Sequence, residues 1–247
     1  MNPPPIVSVI FEPAARPSVV IKDATAVIID AIRATTTIVT AIAAGATEVV
    51  PYRTPEEVLA EAARRPAGSV ITAGERQGVR IEGLDCNNSP SVMTSDRVGG
   101  RAVLLTTTNG TQAIHDALAA REILIAAMPN RRAVARRAAA LGRSVVFVTA
   151  GTVGEVSCED VLVAGAVIEA LGDEAGGAAF HLEDSARLAL AAWLGSKDRL
   201  GDVFHQTRGG ARIAKLGLEA DLAICHEVDT TAVVPVVRGE PPRVVAG

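Results

Sequence analysis

The chain repeats one pattern: a short run of β-branched and other apolar residues, then a polar turn, then an apolar segment with helical periodicity. Such runs are typical of buried parallel strands, and their alternation with helices predicts an α/β fold. The pattern predicts strands at residues 6–10, 27–29, 47–52, 69–73, 102–106, 122–126 and 144–150. We therefore expect a three-layer α/β protein with a mostly parallel sheet, helices on both faces, and one or two lobes.

The pattern changes near residue 171, because glycine and acidic residues gather at 172–177 and the segments that follow are mainly helical. We predict a sheet domain over residues 1–170 that carries most site loops. Residues 171–247 form a mainly helical part that completes the fold or covers the site. If this part covers the site, His205 and the segment 208–212 face it.

The predicted strand at 27–29 ends in Asp30, which is followed by Arg33 and by three threonines at 35–37. In open α/β sheets, ligands bind beyond the carboxyl ends of strands, where helix N-termini offer N–H groups to anions. The segment therefore indicates an anion site with one carboxylate that holds a cation or acts on the ligand. The alternative is that Asp30 and the threonines only cap the helix.

A second segment resembles the first when residues 102–120 are laid on residues 26–44 without gaps. Thr35 then matches Thr111, and Arg33 matches Asn109 in the run Thr107-Thr108-Asn109-Gly110. We expect the two loops to open on the same rim of the sheet.

Two further segments carry polar residues beyond predicted strands. The strand at 69–73 leads into Glu75 and Arg76 and then into an irregular loop at 81–90, which contains Asp85 and Asn88. A long irregular loop inside a compact domain is usually functional or disordered, and its acidic and amide groups favour function.

The segment after the strand at 144–150 contains Ser157, Glu159 and Asp160. Ser157 and Asp160 have the spacing of a capping box, which is the structural explanation. Two neighbouring carboxylates beside loop glycines also suit a divalent metal ion.

Composition narrows the function. The 247 residues are 49% hydrophobic and 2% aromatic, and the net charge is −4, so the electrostatic footprint of a nucleic-acid-binding protein is lacking. Residues 1–5 carry neither the positive nor the apolar segment of a secretory leader, and no apolar run reaches membrane-spanning length, so we expect a cytoplasmic protein without a membrane partner. Cys86, Cys158 and Cys225 are odd in number and far apart, so we expect reduced thiols, with Cys225 in the core.

Several phosphate-handling motifs do not occur in the sequence: the P-loop, the dinucleotide Gly-x-Gly-x-x-Gly, Cys-x5-Arg and the haloacid dehalogenase nucleophile. The zinc-binding motif of zincin proteases does not occur either. Four histidines are too few for the metal cluster of alkaline phosphatases. What remains is a set of carboxylates, arginines, hydroxyls and glycine-rich turns. Oxygen ligands favour Mg²⁺, and arginines favour phosphate or sulfonate. Phosphoryl transfer assisted by Mg²⁺ is the chemistry that needs both kinds of group.

Five ordered motifs together resemble the 2-phosphosulfolactate phosphatase family, over about residue 25 to Pro235. They are Asp30-x-x-Arg33-x-Thr35-Thr36-Thr37, Gly74-Glu75-Arg76, the loop from Gly83 to Pro90, Thr107-Thr108-Asn109-Gly110-Thr111, and Gly151-x-x-Gly154-x-x-Ser157-x-Glu159-Asp160. The resemblance implies Mg²⁺-dependent hydrolysis of 2-phosphosulfolactate to sulfolactate and phosphate. Leu84 and Asn87 stand where the family's loop usually has phenylalanine and glycine.

The resemblance and the chemistry above together assign roles to individual residues. Catalysis is assigned to Asp30, Glu75 and Asp160, and metal binding to Asp30, Asp85, Glu159 and Asp160. Substrate binding is assigned to Arg33, Thr35, Thr36, Thr37, Arg76, Asn88, Thr107, Thr108, Asn109 and Gly110.

The expected partner is a small anionic phosphorylated substrate, while the sequence does not decide between a monomer and a homo-oligomer. The attacking group is either Asp30, through an aspartyl-phosphate, or metal-bound water with a carboxylate as base, which we favour. Two alternatives stay open: a phosphatase of the same scaffold for another small phosphorylated acid, and a non-catalytic protein that binds an anionic metabolite.

Overall fold

The strands of the protein form one continuous sheet in a computed structural model that describes residues 3–11, 21–175 and 180–247. The strands are β1 (Ile6–Ile10), β2 (Thr25–Ile29), β3 (Glu48–Tyr52), β4 (Val70–Arg76), β5 (Val79–Arg80), β6 (Ala102–Thr106), β7 (Glu122–Ala126), β8 (Val145–Thr149), β9 (His181–Leu182), β10 (Pro235–Arg238) and β11 (Arg243–Ala246). The α-helices are α1 (Ala34–Ala43), α2 (Pro55–Ala62), α3 (Ser95–Val98), α4 (Gly110–Asp116), α5 (Arg131–Leu141), α6 (Cys158–Glu174), α7 (Asp184–Leu194), α8 (Leu200–Gln206), α9 (Arg208–Lys215) and α10 (Glu219–His226).

The order of the strands across the sheet is β5-β4-β6-β3-β11-β10-β7-β2-β8-β1-β9. Neighbouring strands are parallel from β7 to β9 and again from β4 to β3. The antiparallel hairpin β10–β11 joins these two parallel groups by pairing with β7 on one side and β3 on the other. The mostly parallel α/β sheet expected from the sequence is thereby confirmed.

The two segments that resemble each other in sequence form β2 with α1 and β6 with α4. Strand β2 lies between β7 and β8, whereas β6 lies between β3 and β4. One half of the chain supplies β2, β3 and β4 in order, and the other supplies β6, β7 and β8. The first strand of each half therefore lies between the second and third strands of the other half, an arrangement that we call the crossed arrangement of first strands. The loops that follow β2 and β6 are in contact, because a Cβ atom built on Gly110 would lie 2.4 Å from the Cβ of Ala34.

Strand β2 shows why the sheet is covered on both faces. Its five residues are all buried, and successive side chains of a strand point to opposite faces. Val27 and Ile29 pack into a core with α5, α6 and α7, while Ala26 and Ile28 pack into another core with α1 and α4. The three-layer arrangement follows from this double burial.

The C-terminal part contributes helices and also the hairpin at the middle of the sheet. The boundary predicted at 170/171 falls inside α6, which continues to Glu174. Residues 176 and 177 of the predicted glycine-rich turn lie outside the described residues. The division into two parts stays a prediction.

Two further expectations can be compared with the structure. Within the described ranges, no helix combines the length and apolar character needed to cross a bilayer. The three cysteines are free thiols, as expected. Cys225 is buried, which was also expected, Cys86 is buried as well, and Cys158 is exposed.

Helices α6 and α7 cross closely at Gly165, and we expect Gly165→Ala to destabilise the protein. A Cβ atom there would lie 2.1 Å from the carbonyl oxygen of Ala189 and 2.7 Å from the Cβ of Trp193, so the helices would have to separate. Such overpacking lowers the free energy of unfolding by about 1–3 kcal/mol, and each kcal/mol lowers Tm by about 2–4 °C in a chain of this size.

The matched control is Gly172→Ala, later in the same helix, where nothing lies within 4 Å of the added methyl group. Because alanine has the higher helix propensity, this variant should be as stable as the wild type or more stable. Thermal unfolding measures both, and equal Tm values for the two variants would contradict the close crossing.

Candidate active site

A cavity of about 260 Å³ opens where loops following several strands meet helix α9. Its lining residues come from five segments: Asp30, Ile32 and Arg33; Glu75, Gln77, Gly78 and Asn88; Thr108 and Asn109; Thr152 and Val153; and Gly209, Arg212 and Ile213. The polar loops after β2, β4, β6 and β8, which are distant in sequence, therefore converge on one cavity.

Asp30 follows β2 and is held by the first turn of α1. The Thr35 hydroxyl donates to the Asp30 carbonyl oxygen at 2.9 Å and accepts from the Asp30 N–H at 3.1 Å, and Asp30 Oδ1 accepts from the Ala34 N–H at 3.3 Å. A Cβ atom on Gly110 would lie 2.7 Å from Asp30 Oδ2, so only glycine fits beside this carboxyl group.

The environment of Asp30 disfavours its charged form. Burial raises the pKa of Asp30 to about 7, the charges of Glu75 and Glu159 add to the increase, and the Ala34 N–H opposes it. Without a bound cation, this carboxyl group therefore changes its protonation state near neutral pH.

Glu75 lies at the end of β4 and joins two loops of the cavity wall. Its Oε1 accepts from both the N–H and the hydroxyl of Thr108 at 2.9 Å, and its Oε2 accepts from the Gly78 N–H at 2.7 Å. Charge-assisted hydrogen bonds of this kind are short and strong, so Glu75 orients the Thr108–Asn109 loop beside Asp30.

Two more carboxyl groups lie behind Asp30, at the start of α6, and neither lines the cavity. Asp160 accepts from the Ala31 N–H at 2.8 Å and from the Gly151 N–H at 3.0 Å, which connects the loops after β2 and β8. Burial, followed by the charges of Asp30 and Glu159, holds the pKa of Asp160 well above its usual range.

Glu159 is also buried and lies against the N-terminus of α9. Burial raises its pKa, while a hydrogen bond with Thr207 opposes the increase. A Cβ atom on Gly209 would lie 2.2 Å from Glu159 Oε1, so glycine is needed where α9 approaches this carboxyl group.

Arg33 lines the cavity but has a buried partner. Its Nη1 is 2.6 Å from Asp221 Oδ2, and both side chains are almost completely buried. Its Nη2 donates to Asn88 Oδ1 at 2.8 Å and to the Gly78 carbonyl oxygen at 3.1 Å. Ser89 and Ser91 also donate to the Asp221 carboxylate, so α10 holds the loop that carries Asn88.

Of the residues assigned to catalysis or substrate binding, the structure brings Asp30, Arg33, Glu75, Asn88, Thr108 and Asn109 into the cavity wall. The hydroxyls of Thr35, Thr36 and Thr37 instead donate to the backbone carbonyls of Asp30, Ala31 and Arg33, so they neither line the cavity nor cap α1, whose N-cap residue Arg33 has no side-chain capping bond. The Thr107 hydroxyl accepts from the Thr111 N–H.

Three other assigned residues also lie away from the cavity surface. Asp85 Oδ2 accepts from the N–H and the hydroxyl of Thr72 at 2.8 Å, so this exposed residue is tied to β4. Arg76 donates to the carbonyl oxygen of Glu75, and Gly110 packs against the side of Asp30.

The structure adds residues that were not among the assigned ones. Gln77 and Val153 line the cavity with positive φ values of 56° and 53°, a conformation that is uncommon for residues other than glycine. Gly209 and Arg212 face the cavity as expected for a covering C-terminal part, whereas His205 and Arg208 do not line it. Only the adjacent glycines, Gly78, Gly151 and Gly154, mark these loops in the sequence.

Comparison with known proteins shows the family of the chain. A family model described as 2-phosphosulpholactate phosphatase matches residues 10–240. The chain is similar to probable 2-phosphosulfolactate phosphatases of Symbiobacterium thermophilum (39% identity over 211 residues, 85% of this chain and 90% of the relative) and Deinococcus radiodurans (41% over 215 residues, 85% and 86%). A relative of the same description from Clostridium tetani is 38% identical over 215 residues, which is 87% of this chain and 90% of the relative. The chain therefore belongs to the 2-phosphosulfolactate phosphatase family, whose members are phosphoric monoester hydrolases.

Proposed function

We propose that this protein hydrolyses 2-phosphosulfolactate to sulfolactate and inorganic phosphate, with Mg²⁺ as cofactor and in the cytoplasm. The observation that supports a phosphatase most directly is Asp30, a buried carboxyl group that lines a cavity beside a second carboxylate, hydroxyl and amide groups, and two arginines. The proposed substrate is the one after which the similar proteins of Symbiobacterium thermophilum and Deinococcus radiodurans are named.

The acidic residues of the site suit a Mg²⁺ ion. Within the described residues, no three acidic, histidine or cysteine side chains are arranged to hold one metal ion. Mg²⁺, however, is usually bound through one or two carboxylates and completes its shell with waters and substrate oxygens. Asp30 would hold the ion, because it lines the cavity and because the charges of Glu75 and Glu159 raise its pKa, so that a cation beside it would relieve this repulsion. Asp85 does not fit this role, since its carboxylate is bound to Thr72.

The bound ion would neutralise charge on the phosphoryl oxygens, and the side chains of the protein position the substrate. Phosphoryl transfer depends mainly on positioning and electrostatic stabilisation. Glu75 fixes the loop that carries Thr108 and Asn109, and Asp221 fixes Arg33 next to Asn88. These polar groups can therefore meet the substrate oxygens without reorganising during the reaction.

In the reaction, the bond between phosphorus and the bridging ester oxygen breaks, and sulfolactate leaves with that oxygen. Either water attacks the phosphorus directly, which we favour, or the Asp30 carboxylate attacks first and water then hydrolyses the aspartyl-phosphate. Acid quench during turnover distinguishes the two routes, because only the second leaves phosphate covalently attached to the protein.

We expect phosphate release from 2-phosphosulfolactate in the presence of Mg²⁺, and a loss of about a hundredfold or more when EDTA removes the ion, because a metal contributes several kcal/mol of charge stabilisation. Excess Mg²⁺ should restore the rate. The assay is phosphate release from a panel of phosphorylated three-carbon acids, measured with and without EDTA.

Other results would select one of the alternatives. Faster release from a different acid of the panel would show a phosphatase of the same scaffold with another substrate. Full activity in EDTA would contradict the proposed cofactor. Binding of the acids without any release would leave a non-catalytic binding protein.

A further inference from the structure

Two arginines line the cavity, and their surroundings differ. The charge of Arg33 is matched by the buried carboxylate of Asp221. Arg212 of α9 lines the same cavity, is exposed, and has no carboxylate partner in the described part of the chain. Arg212 therefore brings a positive charge to the cavity that the folded protein itself does not neutralise.

Helix α9 is anchored so that Arg212 faces the cavity. Thr207 caps the helix by accepting from the Gly210 N–H at 3.0 Å, and Gly209 packs against Glu159. At the other end, Ile213 and Leu216 approach Gly78 of the loop after β4. Residues three or four apart share one face of a helix, so the face that carries Gly209 also presents Arg212 to the site.

The cavity offers a substrate two different surroundings for its anionic groups: a wall with carboxylates and a position beside an arginine. Asp30 and Glu75 both line the wall proposed for the metal ion, where carboxylates disfavour any substrate anion that the ion does not bind. An arginine without an acidic partner provides a favourable position for a second anion, because a guanidinium group forms paired hydrogen bonds to two oxygens of one anionic group.

We infer that Arg212 is a specificity-determining residue that binds the sulfonate of the substrate. This inference rests on the proposed function. The sulfonate suits this position better than the carboxylate, because it spreads its charge over three weakly accepting oxygens and can stay partly hydrated beside an exposed guanidinium group. The enzyme thereby distinguishes phosphorylated acids with a second strong anion from those without one.

The test compares two substrates that differ only in the sulfonate. They are 2-phosphosulfolactate and 2-phospholactate, in which a hydrogen replaces the sulfonate so that the carbon is a methyl group. In Arg212→Gln, KM for 2-phosphosulfolactate should rise by about tenfold to a hundredfold, the range of a charge-assisted hydrogen bond, with kcat changed by less than about threefold. KM for 2-phospholactate should change by less than about twofold. Arg212→Lys should give an intermediate KM, because it keeps the charge and loses the paired geometry.

The matched control is Lys215→Gln, which removes an equal charge from an exposed position of the same helix that does not line the cavity. Its kinetic constants for both substrates should equal those of the wild type. If Arg212→Gln raises KM equally for the two substrates, or for neither, Arg212 does not bind the sulfonate while the proposed function stands. If the wild-type protein with Mg²⁺ hydrolyses neither substrate, the proposed function fails and the inference fails with it.

Discussion

The Asp30→Asn variant should lose about 10³-fold or more of kcat while keeping its fold, because Asp30 lies in the cavity at the position proposed for the metal ion or the nucleophile. Asparagine has the same shape, and its side-chain oxygen can still accept from the Ala34 N–H. Steady-state phosphate release and circular dichroism measure the two parts of this expectation. Asp96→Asn, in an exposed position of α3, is the control and should keep full activity.

The same variant should also change how stability depends on pH. In the metal-free protein, the pKa of Asp30 is about 7 when folded, against 3.8 for an unperturbed aspartate. Between these values the folded state keeps a proton that the unfolded state releases, so the contribution of Asp30 to stability falls as pH rises from about 4 to about 7. Asparagine lacks this titration, so Asp30→Asn should gain stability relative to the wild type across this window.

Urea unfolding in EDTA at several pH values measures this difference. Retention of the wild-type rate in Asp30→Asn would remove Asp30 from the active site. A constant difference in stability from pH 4 to pH 7 would show that the carboxyl group of Asp30 is not buried among the other acidic residues.

Asp221→Asn should lower the free energy of unfolding by about 3–5 kcal/mol, because it leaves the charge of Arg33 buried without a partner. The loss should extend to the site, since Asp221 also accepts from Ser89 and Ser91 in the loop that carries Asn88. Chemical denaturation measures the first effect, and KM for the substrate reports the second.

Glu155→Gln is the matched control, since it removes one partner of an exposed ion pair with Arg208. Exposed pairs contribute about 0–1 kcal/mol, so this variant should unfold almost as the wild type does. Equal losses in the two variants would mean that Asp221 and Arg33 are accessible to water.

The sequence predicts the core of the site because polar residues interrupt apolar runs at the ends of strands. Asp30 follows β2, Glu75 ends β4, and Thr108 and Asn109 follow β6, and the structure places all four in one cavity wall. This part of the inference succeeds because the carboxyl ends of strands in an α/β sheet are where ligands bind.

Contacts between distant segments account for what the sequence does not show. Asp221 is 188 residues from Arg33, and nothing in its own helix distinguishes it from an ordinary exposed aspartate. The threonines at 35–37 have the composition of an anion site, but their hydroxyls are used by carbonyls four or five residues earlier. Composition identifies polar groups, whereas their partners depend on the tertiary fold.

The crossed arrangement of first strands has a consequence for biosynthesis. Strand β2 is made early, but its neighbours β7 and β8 are complete only after Thr149 has been translated. Until β7 is complete at Ala126, β2 has no native neighbour to pair with, and the emerging polypeptide exposes an unpaired strand with two hydrophobic faces. We therefore expect this half-made chain to bind chaperones during translation, and stalled products that end before β7 to be degraded or to aggregate.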